Sequence, residues 1–325
     1  MLRRKLAVSA LTFSLLMGSA AAMAKTVFIA SDVHPADYPT TAAVIHMGEK
    51  LSQQTDGRLS IRMFPSGQMG DESTTLEKTR AGAIDILRVS MSPVGGILPQ
   101  VSVFNMPFVF RDTDHQHKVL DGDVGSKLAK EITDSKLGLV FLGWMDAGSR
   151  SLITKKPITT LEDLKGVKIR LQNNPIGLDT FKALGANPIV LPVGDVFASL
   201  QTGVIDAAEN NEPTFDTENY VVAGTKYFDL TEHFMIPEVL AFSKRKWSKL
   251  SAEDQALITK LAQEAQAEER VLWAEYVEKS KQRLQSQGVK FLPVDKKPFV
   301  DATAPVREKY GKQFSELMQE IQDTK

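Results

Sequence analysis

The stretch GVKIRLQNNP, Gly166 to Pro175, decides how this chain is folded. Val167, Ile169 and Leu171 alternate with Lys168 and Arg170, the two-residue period of a strand with one buried face. Pro175 suits the first turn of a helix, and Asn174 suits its cap. Arg170 therefore stands at or beside the carboxyl end of a strand, just before a helix begins. In open α/β sheets that edge is where ligands bind. A planar guanidinium there fits a carboxylate through two parallel hydrogen bonds.

The same alternation extends in both directions. Downstream, NPIVLP and VIDAAE read as strands, with PIGLDTFKALG and VGDVFASLQTG as helices; upstream, SRSLITKKP is a strand. Nearer the amino end, KTVFIASD, RLSIRMFP and AIDILRVS are strands separated by two helical segments, and LGLVFLGWMD is a buried strand. That order predicts parallel, doubly wound sheets in two α/β lobes joined by crossing strands. From Ser251 to Gln287 the chain holds no Gly or Pro. Leu257, Leu261, Ala265, Leu272 and Tyr276 fall on or near one helical face. An unbroken helix of that length would span about 55 Å and lie across both lobes. A break within EAQAEER is the alternative.

The first residues carry a leader. Arg3, Arg4 and Lys5 precede an apolar run from Leu6 to about Met17, and Ala22 and Ala24 frame a cleavage site before Lys25. Residues 1–24 thus read as a signal peptide, and the exported product is expected in a bacterial periplasm. Losing three cations makes a formal net charge of −1 slightly more acidic. With no basic run, nucleic acid is not an expected partner. The absence of cysteine excludes disulfides, thiolate nucleophiles and cysteine metal sites.

Polar residues recur just after strand ends. His34 follows the first strand, Glu72 opens the helix after the second, and Arg88 and Ser90 end the third. In the second lobe Arg150, Arg170 and Asn173 hold equivalent places, with Asn210, Asn211 and Glu212 in the run ENNEPTF. One arginine near a strand end is more often a surface ion pair than a clamp. Several at equivalent positions, among Asn and Glu side chains, point to a cleft that binds an anion.

Catalytic signatures are missing: no G-x-S-x-G, H-E-x-x-H, P-loop or G-x-G-x-x-G string occurs. Asp112, Asp114, His115 and His117 could bind a metal. They also read as the polar start of a helix, and residues two apart do not share a helix face. Glu209 and Glu212 could serve hydrolysis, but spacing alone does not show it. Neither an enzyme nor a cofactor is expected.

These residues carry a family resemblance. FNMPFVFRDTDHQHKVLDGDVG (104–125), LKGVKIRLQNNPIGLDTFKALGANPIVLPVGDVFASLQTGVIDAAEN (164–210) and LSAEDQALI (250–258) resemble the solute receptor of tripartite ATP-independent periplasmic (TRAP) transporters. The resemblance implies two lobes over a long helix, closure on an organic acid, and delivery to the membrane permease subunits of a sodium-driven transporter. It implies that Arg170 binds the ligand carboxylate, that Asn210 lines the same pocket, and that Arg150 is a second arginine nearby. Lobe I is expected from 25–147 with about 236–275, lobe II from 148–235 with about 276–325, in a monomer. The Glu and Asn side chains suit hydroxyl groups, so the expected ligand is a hexuronate such as glucuronate or galacturonate. A C4-dicarboxylate, an aldarate or a keto-sugar acid is the alternative within the class, and a periplasmic sugar-acid enzyme the alternative outside it.

Overall fold

The structure is a computed structural model that describes residues 25–325; the signal peptide and its cleavage site lie outside the described residues. Eleven strands form two sheets: β1 Thr26–Ser31, β2 Leu59–Phe64, β3 Ile86–Ser90, β4 Leu139–Met145, β5 Arg150–Thr154, β6 Lys168–Leu171, β7 Asn187–Val190, β8 Ala207–Asn210, β9 Tyr227–Phe234, β10 Glu238–Ser243 and β11 Lys290–Pro293. The first sheet has the order β2-β1-β3-β10-β4 and the second β11-β9-β5-β8-β6-β7. Parallel pairing of β1 with β2 and β3, and of β6 with β7 and β8, follows the expected βαβ order.

Each sheet also contains one reversed strand, which the parallel expectation did not include. β10 runs antiparallel to both β3 and β4, and β5 runs antiparallel to both β8 and β9. The reason lies in the connections. Two short connections pass straight from one sheet to the other, β4 to β5 and β9 to β10, while the third passage, β10 to β11, runs by way of the long helix. A strand that enters from the other sheet starts at the facing edge, where its parallel neighbours end. It must therefore run the other way, and its first residue stands at the cleft. Those first residues are Arg150 and Glu238.

Local chemistry fixes the elements around this edge. Asn174 caps the helix Pro175–Ala183, its side chain accepting from the backbone N–H of Ile176 at 2.9 Å, as the sequence predicts. Asp71 caps the helix Glu72–Ala81 through the N–H of Thr74 at 2.7 Å, and Gly82, at φ 83°, takes the left-handed position that ends it.

The long helix is unbroken over 35 residues, Ala252–Ser286, with Ser251 as its cap. At about 1.5 Å per residue it reaches roughly 52 Å, enough to contact both halves. Glu268 meets Lys50 at 2.9 Å on the first half, and Arg283 meets Asp216 at 2.6 Å on the second. Its buried face carries Ile258, Leu261, Ala262, Ala265, Trp273 and Leu284. Leu257, Leu272 and Tyr276, expected on that face, are only half-buried. Leu261 and Ala265, expected on the same face, are buried.

Trp273 also touches the first crossing segment. Gly148 has φ +59°, and a Cβ there would lie 3.1 Å from the Trp273 ring. Gly148→Ala combines left-handed strain with that contact, so it is expected to lower stability by about 1–2 kcal/mol. Urea unfolding checks this; an unchanged midpoint would show that the crossing segment relaxes freely.

Candidate ligand-binding site

The facing edges of the two sheets form a narrow cavity, lined by His34 and Glu72 from the first half and by Arg170, Gln172 and Asn210 from the second. Arg150 and Glu238, the leading residues of the reversed strands, complete the wall. Gln172 bridges the halves, donating to Glu72 Oε2 and accepting from Ser90 Oγ, both at 3.3 Å. Tyr38 Oη lies 3.2 Å from Thr214 Oγ1, and Asn174 Nδ2 donates to the Ser92 carbonyl at 3.1 Å. These bonds hold the two halves together around the cavity.

Three arginines are buried here, and their partners separate them. Arg88 donates to Asp32 Oδ1 through Nε at 3.0 Å and to Glu72 Oε1 through Nη1 at 2.9 Å, with Glu238 Oε1 also at 2.9 Å. Arg150 grips Glu209 with Nε at 2.6 Å and Nη2 at 2.7 Å, and reaches Asn210 Oδ1 at 2.8 Å. Attraction to these carboxylates outweighs burial and raises both arginines above their ordinary pKa. Arg150 in turn holds Glu209 down at about 2.

Arg170 differs. Its Nε donates to the Leu191 carbonyl at 2.8 Å, and among the described residues no carboxylate pairs with it. It is 3% exposed, and desolvation pulls its pKa down. A buried guanidinium with its Nη groups unmatched by protein carries a standing desolvation cost that an anion in the cavity offsets. Asn210 adds donors beside it. Its Oδ1 accepts from Arg150 and from the backbone N–H of Asn211 at 2.9 Å, so its Nδ2 remains for a ligand.

The opposite wall accepts. Glu72 lines the cleft, with Oε1 held by Arg88 and the Ser90 N–H and, among the described residues, Oε2 shared only with Gln172 at 3.3 Å. His34 Nδ1 is buried with no hydrogen-bond partner, and Glu238 Oε2 is in the same condition. Burial, with Arg88 nearby, pushes His34 down to about 3, so its imidazole is neutral at ordinary pH. The ring stacks on Tyr38 with centroids 3.8 Å apart, which fixes its plane. A cation and amide donors on one side and carboxylate acceptors on the other match a molecule with one carboxylate and several hydroxyls.

The sequence-predicted residues are therefore sorted. His34, Glu72, Arg150, Arg170, Asn210 and Asn211 line the cavity, although Asn211 spends its side chain on the Thr214 N–H at 2.8 Å and the Ala147 carbonyl at 2.8 Å. Asn173 lines an adjoining space of about 170 Å³ that shares Glu72, Arg170 and Gln172. Arg88 and Ser90 stand behind the wall, holding Glu72 and Gln172 in place. Glu212 is not brought to the cavity: it opens the helix Glu212–Thr217 and faces Lys281 of the long helix, 4.0 Å away. Helix geometry explains this, since Asn211 as cap turns the next side chain outward.

Gln172, Tyr38, Thr214 and Glu238 were not predicted. Gln172 follows directly after the strand that holds Arg170, so its position signalled it. Glu238 opens an apolar run, EVLAFS, whose reversed direction the sequence did not display.

The residues weighed for a metal take structural roles. Asp112 caps the helix Thr113–Asp121 through the N–H of His115 at 2.7 Å. His115 Nε2 meets the Ile321 carbonyl at 2.8 Å, and His117 meets Asp146 at 2.8 Å. Among the described residues no group of three or more side chains is placed to hold a metal ion, and no helix is long and apolar enough to cross a membrane.

Known proteins match this architecture. A solved TRAP periplasmic solute binding protein from Pseudomonas putida F1, with bound D-glucuronate, is 48% identical and superimposes with a TM-score of 0.90 over 92% of this chain and 97% of that one. One from Citrobacter koseri with bound D-glucuronate is 50% identical, with a TM-score of 0.90 over 92% of this chain and 100% of the other. The apo, open structure from Citrobacter koseri scores 0.81, so the present arrangement is nearer the liganded form. A Bradyrhizobium protein in complex with D-galacturonate is 41% identical, with a TM-score of 0.88 over 92% and 100% of the two chains. The family model described as bacterial extracellular solute-binding protein, family 7, matches residues 30–313. With its cleft, its buried unmatched cation and that match over most of its length, the chain belongs to the family 7 solute-binding proteins and is a receptor, not an enzyme.

Proposed function

We propose that this receptor works in the periplasm as a monomer, closes on a hexuronate, D-glucuronate or D-galacturonate, and hands it to a TRAP permease. Arg170 carries the proposal, because it is the buried arginine with no carboxylate of its own. Asn210 shares the ligand carboxylate, while Glu72 and His34 take hydroxyls from the other half. The bound uronates of the Pseudomonas, Citrobacter and Bradyrhizobium proteins support this choice. The moving bodies are residues 25–147 with about 236–275, and 148–235 with about 276–325. Nucleic acid has no part in this role.

A second carboxylate finds no cation to meet. Arg88 and Arg150 are matched, and Glu72 repels a further negative charge. Sites built around hydroxyls reject analogues that lack them by large factors, since buried polar groups are left unpaired. Competition calorimetry should therefore rank both uronates at least a hundredfold above succinate, by the usual scale of such discrimination, about 10⁴. Tight succinate or galactarate binding with no uronate binding would overturn the hexuronate assignment. Solution scattering should show a smaller radius of gyration with ligand, and an unchanged profile at saturation would reject closure.

A further inference from the structure

We propose that Glu238 reads the ligand: it keeps its proton in the closed cleft and donates it to an oxygen of the bound sugar acid, so that affinity is lost in alkaline solution. The inference rests on the hexuronate reading and adds a second specificity-determining residue to that site.

The geometry comes from the reversed strand. Glu238 is the first residue of β10, directly after the second crossing, paired with Ser90 on one side and Met145 on the other. Its Oε1 meets Arg88 Nη1 at 2.9 Å, while Oε2 is buried and has no partner. Arg88 already serves Asp32 and Glu72. If Glu238 ionised, four carboxylates (Asp32, Glu72, Glu209 and Glu238) would face the three buried guanidiniums before any ligand arrived. The ligand would bring a fifth. A neutral Glu238 removes that excess and turns an orphaned acceptor into an O–H donor.

Burial outweighs the attraction of the nearby arginines. Burial pushes Glu238 up to about 8, with Glu72 and Asp32 adding to the rise and Arg88 and Arg150 opposing it. From the adjacent elements, His34 is held down at about 3 and Tyr38 is raised well above its ordinary value. Neither changes charge between neutral and mildly alkaline pH. Other carboxyls raised by burial could also compete: Glu269 on the long helix, pushed up further by Asp146, and Glu218, which feels Arg170. The sign follows: a site that needs the proton binds fully below about pH 8 and weakens as pH rises through it.

Calorimetry with D-glucuronate from about pH 6.5 to about pH 9.5 tests this. The dissociation constant should be flat at first and then rise about tenfold per pH unit, reaching roughly thirtyfold by pH 9.5. Binding at about pH 9, run in buffers of different ionisation enthalpy, should take up close to one proton. Glu238→Gln keeps a donor but no titration, so the affinity it retains at about pH 6.5 should hold up to about pH 9.5 as a flat profile, with no proton uptake. A flat profile without uptake in the unaltered protein overturns the proposal, as does a slope that persists in Glu238→Gln, which would belong to Glu269 or Glu218. Failure of both uronates to bind at pH 6.5 would instead remove the hexuronate reading, and this proposal with it. The unaltered chain alone decides the matter if the variant does not fold.

Discussion

Arg170→Ala is expected to lose uronate affinity by about thirtyfold to several-thousandfold, the equivalent of about 2–5 kcal/mol for a desolvated charge partner. Arg170→Lys should recover little of this. The Nε of Arg170 is committed to the Leu191 carbonyl, so the planar head is oriented before ligand arrives. A lysine ammonium has neither that anchor nor two parallel donors. The folding stability of the empty protein should move the other way. Arg170 is desolvated and lacks a protein carboxylate, so its removal should leave the thermal midpoint unchanged or raise it. The combination distinguishes a ligand clamp from a structural cation. Binding within threefold of the unaltered protein, with the variant folded, would exclude Arg170 as the anchor.

The same arrangement explains how a receptor for one acid avoids others. Any carboxylate can satisfy Arg170, so selectivity must come from the opposite wall. Glu72 and Glu238 meet there with His34 between the halves, and no free cation accompanies them. Closure then excludes water, which strengthens the guanidinium–carboxylate attraction. It also makes every unpaired acceptor costly, so a ligand lacking hydroxyls closes the cleft at a disadvantage.

Local signals made Arg170 and Asn210 legible in the sequence. A two-residue period ending in a capped helix locates Arg170 by covalent geometry alone, and the cap at Asn174 and the long helix after Ser251 follow the same logic. Glu238 was not legible because its position depends on strand direction. EVLAFS has no alternation, and only the crossing from the other sheet sets which end faces the cleft. Glu212 shows the opposite limit. It sits beside two cavity residues in sequence, yet one helical step turns it to Lys281. Nor could sequence tell a matched arginine from an unmatched one. Arg88, Arg150 and Arg170 all lie in strands that reach the facing edges, and only the carboxylates folded against them give three different roles.

Arg150→Met should be the severe folding lesion, because it leaves Glu209 buried without its guanidinium. Breaking a buried ion pair from one side costs about 3–5 kcal/mol, measurable by chemical unfolding without ligand. His233 Nε2, 3.5 Å from Glu209, does not substitute, since burial lowers its own pKa and keeps it neutral. Replacing both partners, Arg150→Met with Glu209→Gln, should restore much of the loss, as no charge is then stranded. The acid dependence supplies an independent check. Glu209 titrates at about 2 in the folded protein against an ordinary value of 4.5, so its contribution is complete above about pH 4.5 and is lost as pH falls towards 2. In Arg150→Met the main opposition to the desolvation of Glu209 is gone, with only His233 left to oppose it, and its pKa is expected to rise above the ordinary value. Stability should then increase, not decrease, as pH drops through that raised value towards the ordinary 4.5. A variant that loses under about 1 kcal/mol, or keeps the original acid slope, would mean that the pair is a wall of the cavity and no more than that.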